Sequence, residues 1–141
     1  MKIITKQCDI LSLDNKDYFL AHGISGDFTL GAGLAKKIND KYDMSKKLQE
    51  TYIFESGKYG AFLIDNVFNL AIKDCYKDKA TYGGLQTALN DLKLSLYYMN
   101  VKKIAIPRIG CGKDKLDWNI VQAMLNDTFK DMDIEIIVCV L

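Results

Sequence analysis

Two short runs near the end of the chain, Lys103-Ile104-Ala105-Ile106 and Ile134 to Val140, are almost entirely apolar. A strand with one face in water alternates apolar and polar residues. A strand covered on both faces does not, and such strands belong to parallel sheets sandwiched between helices. Between the two runs, Asn119 to Phe129 reads as a helix. Strand, helix and strand in that order specify a crossover connection and therefore a layered α/β fold.

The rest of the chain repeats the alternation. Lys2 to Lys6 and Tyr18 to His22 read as strands, with the polar turn Asp14-Asn15-Lys16 between them. Ala32 to Lys41 and Ser45 to Glu55 read as helices. Tyr59 to Ile64 and Val67 to Ile72 form a hairpin about the turn-prone pair Asp65-Asn66. Tyr82 to Met99 is the clearest helix: Leu85, Leu89, Leu92, Leu96 and Met99 mark one apolar face, although Gly83 and Gly84 weaken its first turn. The expectation is an α/β fold, a three-layer α/β/α sandwich around a mixed, largely parallel six-stranded sheet, with residues 1–141 as one domain.

Composition narrows the function. With 19 Lys and Arg against 18 Asp and Glu the net charge is +1, which gives no electrostatic footprint for duplex DNA or an anionic membrane. No stretch is long enough to span a bilayer, and Met1 to Asp9 lacks the apolar run of a signal peptide. Cys8, Cys75, Cys111 and Cys139 are scattered without a CxxC pair, and the chain has one histidine, so no zinc-ligand spacing is present. These features describe a cytoplasmic protein with free thiols.

Three segments carry chemistry. The stretch from His22 to Ala35 (HGISGDFTLGAGLA) runs from a strand end through a glycine-rich loop into a helix. Glycines admit a ligand close to the backbone, and a helix start offers unpaired N–H groups that suit phosphate. The loop lacks the closing Gly-Lys-Ser/Thr of a Walker A motif and the dinucleotide GxGxxG spacing, and a merely structural turn is the alternative. In the second segment, Leu70-Ala71-Ile72-Lys73-Asp74, an apolar strand ends in a lysine, which is either solvated punctuation or a reactive amine. The third, Pro107-Arg108-Ile109-Gly110-Cys111-Gly112-Lys113-Asp114-Lys115-Leu116-Asp117-Trp118, follows the strand ending at Ile106. A loop beyond the carboxyl end of such a strand is where α/β proteins keep ligands. Asp114 can serve there as acid, base or anchor, Asp117 as a helix cap, and Cys111 as a thiol or a small filler.

In this order the residues Asp9, His22-Gly-Ile-Ser, Leu30-Gly-Ala-Gly-Leu-Ala, Lys73, Thr81-Tyr82 with Leu85-Gln86, and Pro107-Arg-Ile-Gly-Cys-Gly with Asp114, Leu116 and Trp118 resemble a macrodomain. Within that family the chain resembles most the terminal ADP-ribose protein glycohydrolase branch. The likeness spans Lys2 to Leu141. Other macrodomain hydrolases carry Asn-Ala-Asn where this chain has His22-Gly23-Ile24-Ser25, so their asparagine-dependent mechanism is not expected. Two positions depart from the pattern. Cys8 precedes Asp9 where glycine is common, and Cys139 lies where an aromatic beside adenine is common.

The resemblance implies roles. Asp9 would accept a hydrogen bond from the adenine amino group. Ser25 and Gly31-Ala32-Gly33 would lie near the phosphates and distal ribose. The backbone of Ile109-Gly110-Cys111-Gly112 would wrap the diphosphate, much as an anion-binding nest does. Ile10, His22, Leu30, Pro107, Arg108 and Leu141 complete the implied ADP-ribose-binding set. Lys73 and Asp114 match the family's catalytic pair, the lysine as nucleophile toward the opened distal ribose and the aspartate as proton carrier.

The implied activity is release of ADP-ribose from acidic side chains of modified proteins and cleavage of O-acetyl-ADP-ribose, with no metal or separate cofactor. The implied partners are ADP-ribose and ADP-ribosylated proteins, with nucleic acid only as an ADP-ribosylated substrate and the protein itself a monomer. Two alternatives stand beside it: hydrolysis of ADP-ribosylated nucleic acid or ADP-ribose 1″-phosphate, and a reader that binds ADP-ribose without turnover.

Overall fold

The structure is a computed structural model that describes residues 1–13 and 17–141. The expected turn at Asp14-Asn15-Lys16 lies outside those residues. Six strands form one sheet: β1 (Lys2–Gln7), β2 (Phe19–Ser25), β3 (Gly60–Ile64), β4 (Val67–Lys73), β5 (Lys103–Ile106) and β6 (Glu135–Val140). Their spatial order is β1-β6-β5-β2-β4-β3. Every neighbouring pair is parallel except the β3–β4 hairpin.

Helices cover both faces. On one side α3 (Tyr82–Met99) contributes Leu85, Leu89, Leu92 and Leu96, and α4 (Trp118–Phe129) contributes Val121, Leu125 and Phe129, to a core shared with β4, β5 and β6. On the other, α1 (Gly33–Tyr42) and α2 (Met44–Thr51) bury Ile38, Met44 and Leu48 against Leu20, Ile24, Val67 and Ala105. Successive strand residues point to opposite faces, so β5 and β6 feed both cores at once. That is why their sequences are continuously apolar. The sandwich expected from the alternation of strands and helices is the observed fold.

Boundaries moved where tertiary contacts override local propensity. β2 continues through Gly23 to Ser25 because Gly23 and Ile24 pair in register with Leu70 and Ala71 of β4, and the missing side chain at Gly23 leaves room for Ile72 Cδ1, which a Cβ there would approach to 2.9 Å. The second helix stops at Thr51, and Ile53–Glu55 tightens into a 3-10 turn. A further 3-10 turn, Ile10–Leu13, follows β1. Gly84 stays in α3 because a Cβ there would lie 2.7 Å from the Ile72 carbonyl oxygen, which sets α3 close to β4. Thr81 caps α3 by accepting from the Gly84 N–H, and Asp117 caps α4 by accepting from Asn119.

The strand order has one consequence for function. Its centre, β5-β2-β4, brings the carboxyl ends of three parallel strands side by side, so the loops that follow them converge on one rim of the sheet. These are the three loops that carry the chemistry-bearing segments.

Candidate active site

The register of β2 and β4 sets the site. Ser25 pairs with Lys73 at the carboxyl ends of the two strands, across a local irregularity between Ile24 and Ser25. Lys73 therefore closes a fully buried strand and remains only 8% exposed itself. A buried ammonium needs a counter-charge. Asp114 supplies it, with Oδ1 accepting from Lys73 Nζ at 3.0 Å and from the Ala80 backbone N–H at 3.2 Å. The two residues are 41 positions apart, Lys73 at the end of β4 and Asp114 in the loop that follows β5.

The β5–α4 loop is folded to present Asp114. Ile109 N–H donates to the Pro107 carbonyl, Cys111 to Arg108 and Leu116 to Gly110, so the chain doubles back on itself. Gly110 turns with φ 75° and lies so close to Leu116 that a Cβ would approach its Cδ1 to 2.7 Å. Gly112 differs, since a Cβ there would meet no atom within 4 Å.

Asp27 ties the glycine loop to the lysine loop. Its Oδ1 accepts from Ser25 Oγ at 2.5 Å and from Thr29 N–H at 3.2 Å, while Oδ2 accepts from Tyr76 N–H at 3.0 Å. Burial pushes its carboxyl up, but the bonds from Ser25, Tyr76 and Thr29 outweigh that and hold it below the usual carboxylate range. Tyr76, so fixed, packs against Gly31 and has Lys73 Nζ 5.7 Å and Lys113 Nζ 4.5 Å from its ring centroid. Lys113 also donates to the Tyr76 hydroxyl at 3.3 Å.

These loops enclose a cavity of about 290 Å³ lined by His22, Ser25, Gly31, Ala32, Gly33, Lys73, Pro107, Arg108, Ile109, Gly110, Gly112 and Asp114. A second cavity of about 510 Å³ is lined by Asp9, Ile10 and Leu141 and shares Gly33, Leu34, Pro107 and Arg108 with the first. The two cavities adjoin along these shared walls and together define the cleft, with Lys73 and Asp114 lining one part and Asp9 the other. Arg108, stacked 5.7 Å from the Trp118 ring centroid, stands between them.

Two residues of the expected ligand set do not line the cleft. Leu30 is buried in the core under α1 and α2. The Cys111 thiol is directed toward the Ile109 carbonyl, 3.5 Å away, and its side chain packs against the opposite core. Asp9 is exposed, and its Oδ1 accepts from Leu11 N–H at 3.0 Å. His22 is buried, and its Nε2 lies 2.6 Å from Asn69 Oδ1. The Asn69 amide nitrogen already donates to the Phe62 and Val67 carbonyls, so Nε2 is the donor in that pair. Burial drives the imidazole pKa down to about 4, so this ring is uncharged at neutral pH and keeps the single Nε2 proton that it donates to Asn69.

Asp27, Tyr76 and Lys113 also belong to the site, and sequence reasoning had not singled them out. Asp27 lies within the glycine-rich segment and Lys113 directly precedes Asp114. Tyr76 carries a weaker signal, an aromatic three residues past a strand-end lysine.

The chain and its fold have known relatives. The chain is 34% identical over 127 residues to the human ADP-ribose glycohydrolase OARD1, covering 84% of this chain and 79% of that protein. It is 32% identical to the Bos taurus ADP-ribose glycohydrolase OARD1 over the same length. No family model matches the chain. Among solved structures, the macrodomain of Mycobacterium tuberculosis DarG superposes with a TM-score of 0.86 at 19% identity, over 97% of this chain and 96% of that one. Thermosipho africanus DarTG in complex with ADP-ribose superposes at 0.76 with 18% identity, over 99% of this chain and 41% of that one. The fold is that of a macrodomain. The chain belongs to the macrodomain family, on the branch that holds these ADP-ribose glycohydrolases.

Proposed function

We propose that this protein is an ADP-ribosyl hydrolase that binds ADP-ribose along the cleft and releases it from acidic side chains of modified proteins. The observation that carries this reading is the Lys73–Asp114 pair, 3.0 Å apart in the wall of a cavity lined by both glycine loops. Its curated relatives are named ADP-ribose glycohydrolases, and Thermosipho africanus DarTG, part of whose chain shares this fold, was solved in complex with ADP-ribose.

ADP-ribose fits the cleft by chemistry. The adenine lies at the Asp9 end, where the carboxylate accepts from the exocyclic amine. The diphosphate passes between the start of α1 and the Ile109-Gly110-Cys111-Gly112 loop. At α1, Ala32 makes no side-chain cap, which leaves the first helical N–H groups available to phosphate oxygens. The distal ribose then reaches Ser25, Tyr76 and Lys73.

At the reacting carbon, Asp114 takes a proton from Lys73 and the freed amine attacks C1″. The C1″–O bond to the protein breaks, and the side-chain carboxylate leaves with the bonding pair. A carboxylate is a weakly basic leaving group that departs without much proton transfer, which suits a site with one acid–base residue. The ribose ring opens to a protonated imine on Lys73 as the ring oxygen takes the proton held by Asp114 and the nitrogen gives its second proton to the freed Asp114 carboxylate. Water adds at C1″ and passes its protons to the nitrogen, the C–N bond breaks to restore protonated lysine and free ADP-ribose, and Asp114 returns its proton to solvent.

Incubating the protein with a glutamate-modified protein, ADP-ribosylated DNA and ADP-ribose 1″-phosphate in parallel tests the substrate class. Turnover of the first in excess of the others is the expected result. Binding of ADP-ribose with no turnover of any would make the protein a reader.

Two predictions concern binding. Asp9→Ala should weaken ADP-ribose binding by roughly 1–3 kcal/mol, the usual cost of losing a hydrogen bond to a charged group. Calorimetry giving equal affinities would remove Asp9 from adenine recognition. Gly112→Val should fold normally, because its side chain meets open space on the protein side, yet bind at least about tenfold more weakly, because that space belongs to the ligand. A folded Gly112→Val protein with wild-type affinity would show that the loop does not approach the diphosphate.

A further inference from the structure

The Asp9 end of the cleft holds a feature the hydrolase reading does not use. Cys8 and Cys139, 131 residues apart in sequence, place their sulfur atoms 3.4 Å from each other, the Cys8 thiol donating to Cys139. Both side chains line the same cavity as Asp9, Ile10 and Leu141. The contact follows from the register of the parallel strands. Lys6 is opposite Cys139, and Cys8 lies two residues further on, so it shares the face of the sheet on which Cys139 projects. Cys8 N–H donates to the Val140 carbonyl at 3.0 Å, which fixes the two backbones beside each other. Cys8 itself lies one residue beyond the end of β1, at a bend.

We propose that Cys8 and Cys139 are a modification site: a thiol pair that peroxide converts to a disulfide, weakening nucleotide binding at the adjacent end of the cleft. Cys8 is the more accessible sulfur and the first to react, while Cys139 is 7% exposed. Burial, the bond from Cys8 and the nearby Cys8 and Asp9 charges push the Cys139 thiol up to about 12, so it remains protonated until it attacks. The Cys8 thiolate reduces hydrogen peroxide to hydroxide and becomes a sulfenic acid. The Cys139 sulfur then displaces its oxygen as water, so that two thiols and one peroxide give one disulfide and two waters.

A disulfide bond requires sulfurs about 2.05 Å apart. Closing the present 3.4 Å gap draws Cys8 toward Cys139 and carries Asp9 with it. Asp9 is the next residue in the chain, and its Oδ1 also anchors the turn at Leu11. The affinity change rests on the reading that adenine lies here. The cross-link does not.

Peptide mass spectrometry after treatment with a small excess of hydrogen peroxide should show the Cys8 and Cys139 peptides joined, with the loss of two hydrogens. The oxidised protein should bind ADP-ribose at least about tenfold more weakly than the reduced protein, and dithiothreitol should restore it. In Cys8→Ser and in Cys139→Ser the affinity should not respond to peroxide. Absence of the cross-linked peptide when exposed Cys75 is oxidised would overturn the proposal, as would a cross-linked protein with unchanged affinity. Failure of the reduced protein to bind ADP-ribose would overturn the hydrolase reading and, with it, the binding consequence, and the cross-link alone would then decide whether this is a modification site.

Discussion

Lys73→Arg should bind ADP-ribose with near wild-type affinity and lose turnover by at least about 10³-fold, the scale of losing a covalent nucleophile. Arginine keeps the positive charge and can still pair with Asp114, which now receives Lys73 Nζ at 3.0 Å. It stays protonated, so it can attack nothing and form no imine. If Lys73 supplied only charge, arginine would serve. Single-turnover rates on a glutamate-modified protein, beside calorimetry of ADP-ribose, separate the two roles. A Lys73→Arg enzyme at the wild-type rate would end the covalent mechanism.

Asp114→Asn should lower kcat by about 10²–10⁴, the usual contribution of one general acid–base group, with little change in affinity. The carboxylate has a structural duty as well as a chemical one, because the same Oδ1 accepts from Ala80 N–H. Asparagine retains an oxygen for that bond and loses the capacity to take and return a proton. Alanine would remove both, leaving the buried Lys73 ammonium unpaired, and would confuse lost chemistry with lost stability. A thermal unfolding curve on the asparagine variant checks that the loop is intact. Wild-type turnover by that variant would leave Asp114 a structural residue.

Much of this fold was legible because the signals were local. The leucine stripe of α3 has one reading, and the continuous apolar runs of β5 and β6 require cover on both sides. The paired loops could be placed because strands that empty into glycine segments do so at the carboxyl rim of a parallel sheet. Lys73 and Asp114 stood out only together with the wider motif, since a strand-end lysine and a loop aspartate are each unremarkable alone. Their 3.0 Å contact depends on the order β5-β2-β4, which no local pattern encodes.

What was missed is long-range in the same sense. The sequence marks a strand over Tyr18 to His22, and it continues to Ser25 because β4 pairs with Gly23 and Ile24. Asp27 reads as one more polar loop residue until the fold brings Tyr76 N–H to it. Tyr76 has only the weak signal of an aromatic three residues past a strand-end lysine. Its place over the lysine comes from that bond and from the absence of a side chain at Gly31.

The central claim is that one amine in this cleft becomes bonded to the substrate, and reductive trapping tests it most directly. A hydride reductant added during turnover converts an imine to a stable secondary amine, and peptide mass spectrometry locates it. The expected result is an ADP-ribose adduct on the peptide containing Lys73, absent from Lys73→Ala and Lys73→Arg. An adduct on Lys113 or Lys36 instead, or none in a protein that turns over normally, would contradict it.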